Sequence, residues 1–261
     1  MTVLLLKLLL APLLVVASSL AGRRWGPNAA GVLVGLPIVA GPILFITFLQ
    51  HGAGFAADAA RSSLFGLLSL AAFAVVFARA ARRLAWVATL ATTWVVVLAI
   101  DAVLSPVGVP TPVALAFTLV TTVAALALMP KAAAGRPARP DQPVTPSWDL
   151  PARAAATGLL VLTVTTASSA LGPHWTGILA PFPIATSVVA AFAHAQAGPA
   201  VTARTLVGVL RGLFGFALFC VTDTALVGPL GGPAYAVGAV VAVVVQLVVG
   251  RARRVPPQRT I

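Results

Sequence analysis

Apolar residues dominate this chain in long runs, and the polar positions gather in short stretches between them. A membrane-spanning helix needs about 20 apolar residues. Runs of that length, or nearly so, fall at 3–20, 29–50, 60–79, 84–104, 112–129, 153–171, 175–197, 205–227 and 232–250. The pattern predicts an all-α polytopic membrane protein of about nine spanning helices. The first run, TVLLLKLLLAPLLVVASSLAG, has the apolar core and small trailing residues of a signal peptide. Lys7 lies inside that run and not before it, and Arg23 and Arg24 follow directly, so a retained helix is expected.

One stretch occurs twice. Shifted by 146 positions, Gly26–Phe73 meets Gly172–Phe219 without a gap and with 14 identities in 48 positions. Gly26, Pro27, Gly31, Leu33, Pro37, Ile38, Gln50 and Gly52 fall on Gly172, Pro173, Gly177, Leu179, Pro183, Ile184, Gln196 and Gly198. Low complexity would match alanines and leucines, not two Gly-Pro pairs and two prolines inside apolar runs. The chain therefore reads as an internal duplication.

Charge assigns sides to the loops. With the nine runs as spans, 14 Lys and Arg residues fall on one side; on the other lies Arg61, with Lys7 nearby. Basic loops stay cytoplasmic, so the N-terminus is expected outside and the C-terminus inside. The Pro-rich segment 131–153 reads as a cytoplasmic linker, within which Asp141 and Asp149 are expected to be solvated. The resulting division is repeat one at 1–104, a linking helix plus linker at 105–152, repeat two at 153–250 and a basic tail at 251–261. Four spans return a chain to its starting side. The additional span at 112–129 makes the second copy enter upside down, which is the inverted repeat of many secondary transporters.

Composition agrees. Sixty per cent of the 261 residues are hydrophobic, 8% are charged, and the mean hydropathy is +1.04; soluble domains carry roughly 25% charged residues. The net charge of +12 comes from seventeen basic residues against five aspartates. It fits loops beside anionic lipid, and membrane lipids rather than nucleic acid are the expected partners. One cysteine, Cys220, excludes an intrachain disulfide and a Cys-based metal cluster. The Ala, Gly, Pro and Arg richness is that of a GC-rich bacterial genome, so the bacterial cytoplasmic (inner) membrane is the expected location.

Candidate chemistry is sparse. Pro37 and Pro183 lie near the middle of their runs, where proline removes a backbone donor and breaks the helix. A broken helix in a bilayer needs protein or a cavity to satisfy the freed carbonyls. The expected substrate site is therefore the pair of breaks, with Gly31 and Gly177 beside them and Asn28, His174, Gln50, Gln196, Thr186 and Ser187 as the polar residues on the same helices. The alternative is two kinks that serve packing. Asp101, Asp223 and His194 are the coupling-ion candidates, since ionisable groups in a membrane are functional by default; interfacial contacts are their plainer reading. Asp58 and Arg61 sit one helical turn apart, as a surface pair. HExxH, P-loop, GxGxxG and CxxC motifs are absent, so no catalytic residue, metal or cofactor is expected.

The stretch GILAPFPI at 177–184, with its copy GVLVGLPI at 31–38, resembles the Gly-then-Phe-Pro stretch of the GlpM-type small bacterial membrane proteins. The resemblance covers one helix pair per repeat, about a third of the chain. It departs at Leu36, where the second copy has Phe182. It implies four-helix units and an association with exopolysaccharide production, but no established molecular activity. Two functions follow as expectations. One is a transporter or flippase-like carrier for a small or lipid-linked substrate. The other is a non-catalytic membrane subunit, as a homo-oligomer or with an envelope-assembly partner.

Overall fold

The computed structural model describes residues 2–38, 40–104, 110–130, 146–171 and 182–251. Among these residues the fold is all helical. Its helices are α1 (Thr2–Trp25), α2 (Pro27–Gly35), α3 (Ala40–Ala80), α4 (Trp86–Leu104), α5 (Thr111–Leu128), α6 (Asp149–Leu171), α7 (Ile184–Leu230) and α8 (Pro233–Arg251). Five helical stretches are long and apolar enough to cross a membrane: Leu8–Trp25, Pro27–Ala80, Trp86–Leu104, Thr111–Leu128 and Ile184–Leu230. Two of the five hold more than one expected span, and the expected seventh span begins outside the described residues.

The local breaks follow from proline and glycine. Leu36 is extended (φ −81°, ψ 155°), as a residue before proline is biased to be, and it ends α2. The helix resumes when the Gly41 amide donates to the Pro37 carbonyl at 2.8 Å. One repeat length later, Pro183 precedes α7, and the Ser187 amide donates to the Pro183 carbonyl, again at 2.8 Å. The long helices α3 and α7 are each kinked at a matched glycine. Gly52 has φ 82° and ψ 179°, and Gly198 has φ 78° and ψ 179°. This backbone region is open essentially to glycine alone.

A test follows. A Cβ on Gly52 or Gly198 would meet nothing within 4 Å, so alanine there costs backbone strain and no clash. Each is expected to destabilise the protein by about 1–3 kcal/mol. Gly54→Ala, in equally open space but at ordinary helical φ, is expected to be neutral or to stabilise by up to about 1 kcal/mol. Thermal unfolding in detergent separates the three variants. Equal midpoints would remove the strain argument.

Packing places α7 at the centre, against α2, α3, α5 and α8. Matched repeat positions are buried in both copies: Leu64 and Leu210, Leu67 and Leu213, Ala71 and Ala217, Phe73 and Phe219. The α2–α7 contact is made by backbone. Gly31 and Gly35 lie against Thr205, Gly208, Val209 and Gly212, too close for any added Cβ. Small residues four apart are how membrane helices approach closely without a hydrophobic driving force.

Large apolar side chains point outward instead, as Leu9, Val95, Val120 and Val240 do. Buried faces of α4 and α5 carry Thr89, Thr93, Thr118 and Thr122. Thr93, Thr118 and Thr122 donate to the carbonyl four residues back, and the Thr118 hydroxyl also reaches the Leu64 carbonyl of α3 at 3.0 Å. Trp25, Trp86 and Trp148 are exposed at helix ends, the first two close after arginine pairs, as in an interfacial aromatic belt.

Candidate functional site

The break at Leu36–Ile38 opens onto a pocket of about 500 Å³. Its walls are the break itself, Gly41 and Phe45 of α3, Phe219 of α7, and Tyr235, Ala236 and Ala239 of α8. Among these lining residues Tyr235 is the one with a polar side chain, and its hydroxyl already donates to the Leu44 carbonyl at 3.2 Å. Phe45 meets Tyr235 edge-on, with centroids 5.4 Å apart. The lining is therefore almost wholly apolar and aromatic, a surface suited to hydrocarbon.

Asp223 lies behind the inner wall of this pocket. It is one helical turn after Phe219, is 0% exposed, and neither carboxyl oxygen has a hydrogen-bond partner. Its Oδ1 occupies the space that a side chain at Gly238 would need. Asp101, on the buried stripe Thr89–Thr93–Val97–Asp101 of α4, accepts a hydrogen bond from Ser69 and has its second oxygen unpartnered. Pro37 thus lines the pocket and Asp223 stands behind its Phe219 wall, while Asp101 stands on α4 against α3.

The other expected site residues are spread. Pro183 and Phe182 are buried; Phe182 packs edge-on against Trp94 at 5.3 Å. Trp94 donates to the Ser187 hydroxyl at 3.0 Å, and Thr186 is buried beside it. Gly31 belongs to the α2–α7 contact and does not line the pocket. Asn28 is exposed at the start of α2 with its carbonyl against Gly208, and Gln50 is exposed before the Gly52 kink. His194 stands edge-on to Phe77 at 6.1 Å, and its Nδ1 is buried without a hydrogen-bond partner. Gly177 and His174 lie outside the described residues.

Gln196 is in a cluster that sequence reasoning missed. Asp149, expected in a solvated linker, opens α6 and is 1% exposed. It accepts from Arg23 of α1 at 2.8 Å, from Arg153 at 2.9 Å and from Gln196 of α7 at 2.6 Å. Arg153 also donates to Gln196 at 2.9 Å and lies over the Phe192 ring at 4.7 Å. Burial alone would raise the Asp149 carboxyl. The hydrogen bonds from Gln196, Arg153 and Arg23, with the Arg153 charge, outweigh it and hold the group below the usual carboxylate range. The i,i+4 spacing of Asp149 and Arg153 was the one readable signal; the partners on α1 and α7 are distant in sequence.

Fold and surface are those of an all-helical membrane protein. Set against known protein families, characterised proteins and solved structures, the chain matches none.

Proposed function

We propose that the chain is a membrane carrier, transporter or flippase-like, for an apolar or lipid-linked substrate, and that the pocket at the Pro37 break is its substrate site. The observation that carries this reading is the coincidence of an interrupted helix, an apolar pocket of about 500 Å³ and a buried carboxylate behind its wall. A helix break inside a bilayer is tolerated where protein or a cavity meets the freed backbone groups. Carriers place substrate sites at such breaks.

The inverted repeat of nine spans, N-terminus outside, is part of this proposal. The same proline hydrogen bond and the same glycine kink recur 146 positions apart. Side-chain contacts join segments that the nine-span count puts on one side. Arg23, Asp149 and Gln196 meet, and Arg79 donates to the Leu128 carbonyl at 3.1 Å. On the opposite side Tyr235 reaches Leu44. The resemblance to GlpM-type proteins supports the alternative, a membrane subunit for envelope assembly, which needs no path for a polar headgroup.

Accessibility separates the two. Cys220 is buried and is the sole cysteine, so Cys220→Ser gives a clean background. Ala239→Cys on the pocket wall is expected to react with a membrane-impermeant maleimide from one side of sealed vesicles. Val240→Cys, its outward-facing neighbour, is not. If position 239 is as inert as position 240 from both sides, the pocket has no water path and the carrier reading fails.

A further inference from the structure

Asp223 combines three features that the pocket alone does not need. It is fully buried, both its oxygens lack hydrogen bonds, and the absence of a side chain at Gly238 is what leaves it room. An ionised carboxylate in such surroundings would lose its hydration and gain no partner, and groups so placed neutralise instead. A carboxyl behind a carrier's pocket is also where a coupling ion is expected.

The titratable groups around it do not replace that partner. On its own helix Cys220 is buried one turn away. From α8 the Tyr235 phenol faces it, with its proton directed to Leu44. On α3, which approaches at Ala57 through the Thr224 hydroxyl, Asp58 and Arg61 are bonded to each other at the surface. Asp101 of α4 is bonded to Ser69. A metal cation would need a shell of oxygen ligands. The hydroxyls of Thr222 and Thr224 are turned to the carbonyls of Leu218 and Cys220, and no group of three or more His, Cys, Asp or Glu occurs among the described residues. A proton needs one carboxyl oxygen and nothing else.

We propose that Asp223 is a proton-carrying site: protonated while it lies buried behind the pocket wall, and deprotonated when the wall formed by Phe219 and Tyr235 moves and admits water. This deepens the carrier reading and rests on it, and it names the coupling ion as a proton. The reaction is the gain or loss of one proton at one carboxyl oxygen, with no other bond made.

Dicyclohexylcarbodiimide tests it, because this apolar reagent modifies protonated carboxyls inside membranes. The full chain in lipid vesicles is treated over a pH series and the modified aspartates are identified by peptide mass spectrometry. Asp223 is expected to be modified at neutral pH, with the rate falling as the group ionises and approaching about tenfold per pH unit once it is mostly ionised, as the protonated fraction does. Asp58, exposed and paired with Arg61, is expected to stay unmodified. An infrared difference spectrum of the wild type minus Asp223→Asn checks reagent access independently, and is expected to show a carboxylic-acid C=O band at neutral pH that disappears at high pH.

Absence of both the modification and the band at neutral pH overturns the proposal. So does a band that persists unchanged at every pH at which the protein stays folded, since such a proton never leaves. Neither measurement involves transport. A positive result with an inert Ala239→Cys therefore sinks the carrier reading and the coupling role with it, leaving Asp223 as a titrating carboxyl only; a reactive Ala239→Cys with no protonated Asp223 sinks only the proton.

Discussion

Gly31→Leu is expected to prevent accumulation of folded protein, and Gly31→Ala to lower its stability severely. A Cβ at Gly31 would lie 1.8 Å from the Thr205 carbonyl oxygen, 2.7 Å from the Val209 nitrogen and 2.9 Å from the Gly208 Cα. All three are backbone atoms of α7, so no side-chain rotation relieves the clash. The reciprocal positions are as tight: a Cβ at Gly208 would lie 2.2 Å from the Asn28 carbonyl oxygen, and one at Gly212 would lie 2.6 Å from the Gly35 Cα.

Overpacking a core commonly costs about 1–3 kcal/mol, and occasionally more, through off-rotamer side chains and backbone shifts. Here α2 as a whole must lift off α7, which forfeits the close backbone contact that holds membrane helices together. It also moves the Leu36–Ile38 break that follows α2 directly, and the pocket with it. Gly158→Ala, in open space on α6, is the control and is expected to behave as wild type. Size-exclusion chromatography of fluorescent fusions reads folded yield. Wild-type yield and melting midpoint for Gly31→Leu would mean that α2 does not pack on α7 through this face.

The Pro37 break was legible because proline acts locally: it removes one donor and biases the residue before it, whatever the tertiary context. The helical character was legible for the same reason, since lipid demands long apolar runs. What could not be read was partnership. Gly31 was expected at the substrate site because it flanks the break. Glycine is equally what a close helix contact needs, and the decision lies with Gly208 and Gly212, about 180 residues away.

Asp149 misled in the same way. Its Pro-rich neighbourhood reads as solvated linker, and its burial depends on Arg23 and Gln196, 126 and 47 residues distant. Asp223 was identified as ionisable within an apolar helix. That it stands behind the pocket at Pro37 required the fold of α8, where Gly238 makes the space.

Asp149→Asn is expected to lower stability at neutral pH by about 3 kcal/mol, the lower end of the cost of breaking a buried pair. The substitution keeps the shape and removes the charge, leaving the mostly buried Arg153 guanidinium without its counter-ion. Arg23 is about a third exposed (32%) and adds less, because water screens it. Three helices are affected together. Arg23 ends α1, Asp149 and Arg153 open α6, and Gln196 sits two residues before the Gly198 kink of α7.

The pH dependence has a definite sign. The folded carboxyl is held below its ordinary value, so its contribution is fully present above the unfolded value of about 3.9 and is lost as pH falls through the lower folded one. Wild type and Asp149→Asn should therefore differ by a constant amount from about pH 5 to 8 and converge below about pH 4. Replacing Asp149 and Arg153 together with leucine and methionine should recover much of the loss, since apolar residues of similar volume substitute for a buried pair at little cost. Chemical or thermal unfolding in detergent across that pH range measures all three variants. A gap that widens in acid, or an Asp149→Asn midpoint equal to wild type at pH 7, would show that the cluster does not hold α1, α6 and α7 together.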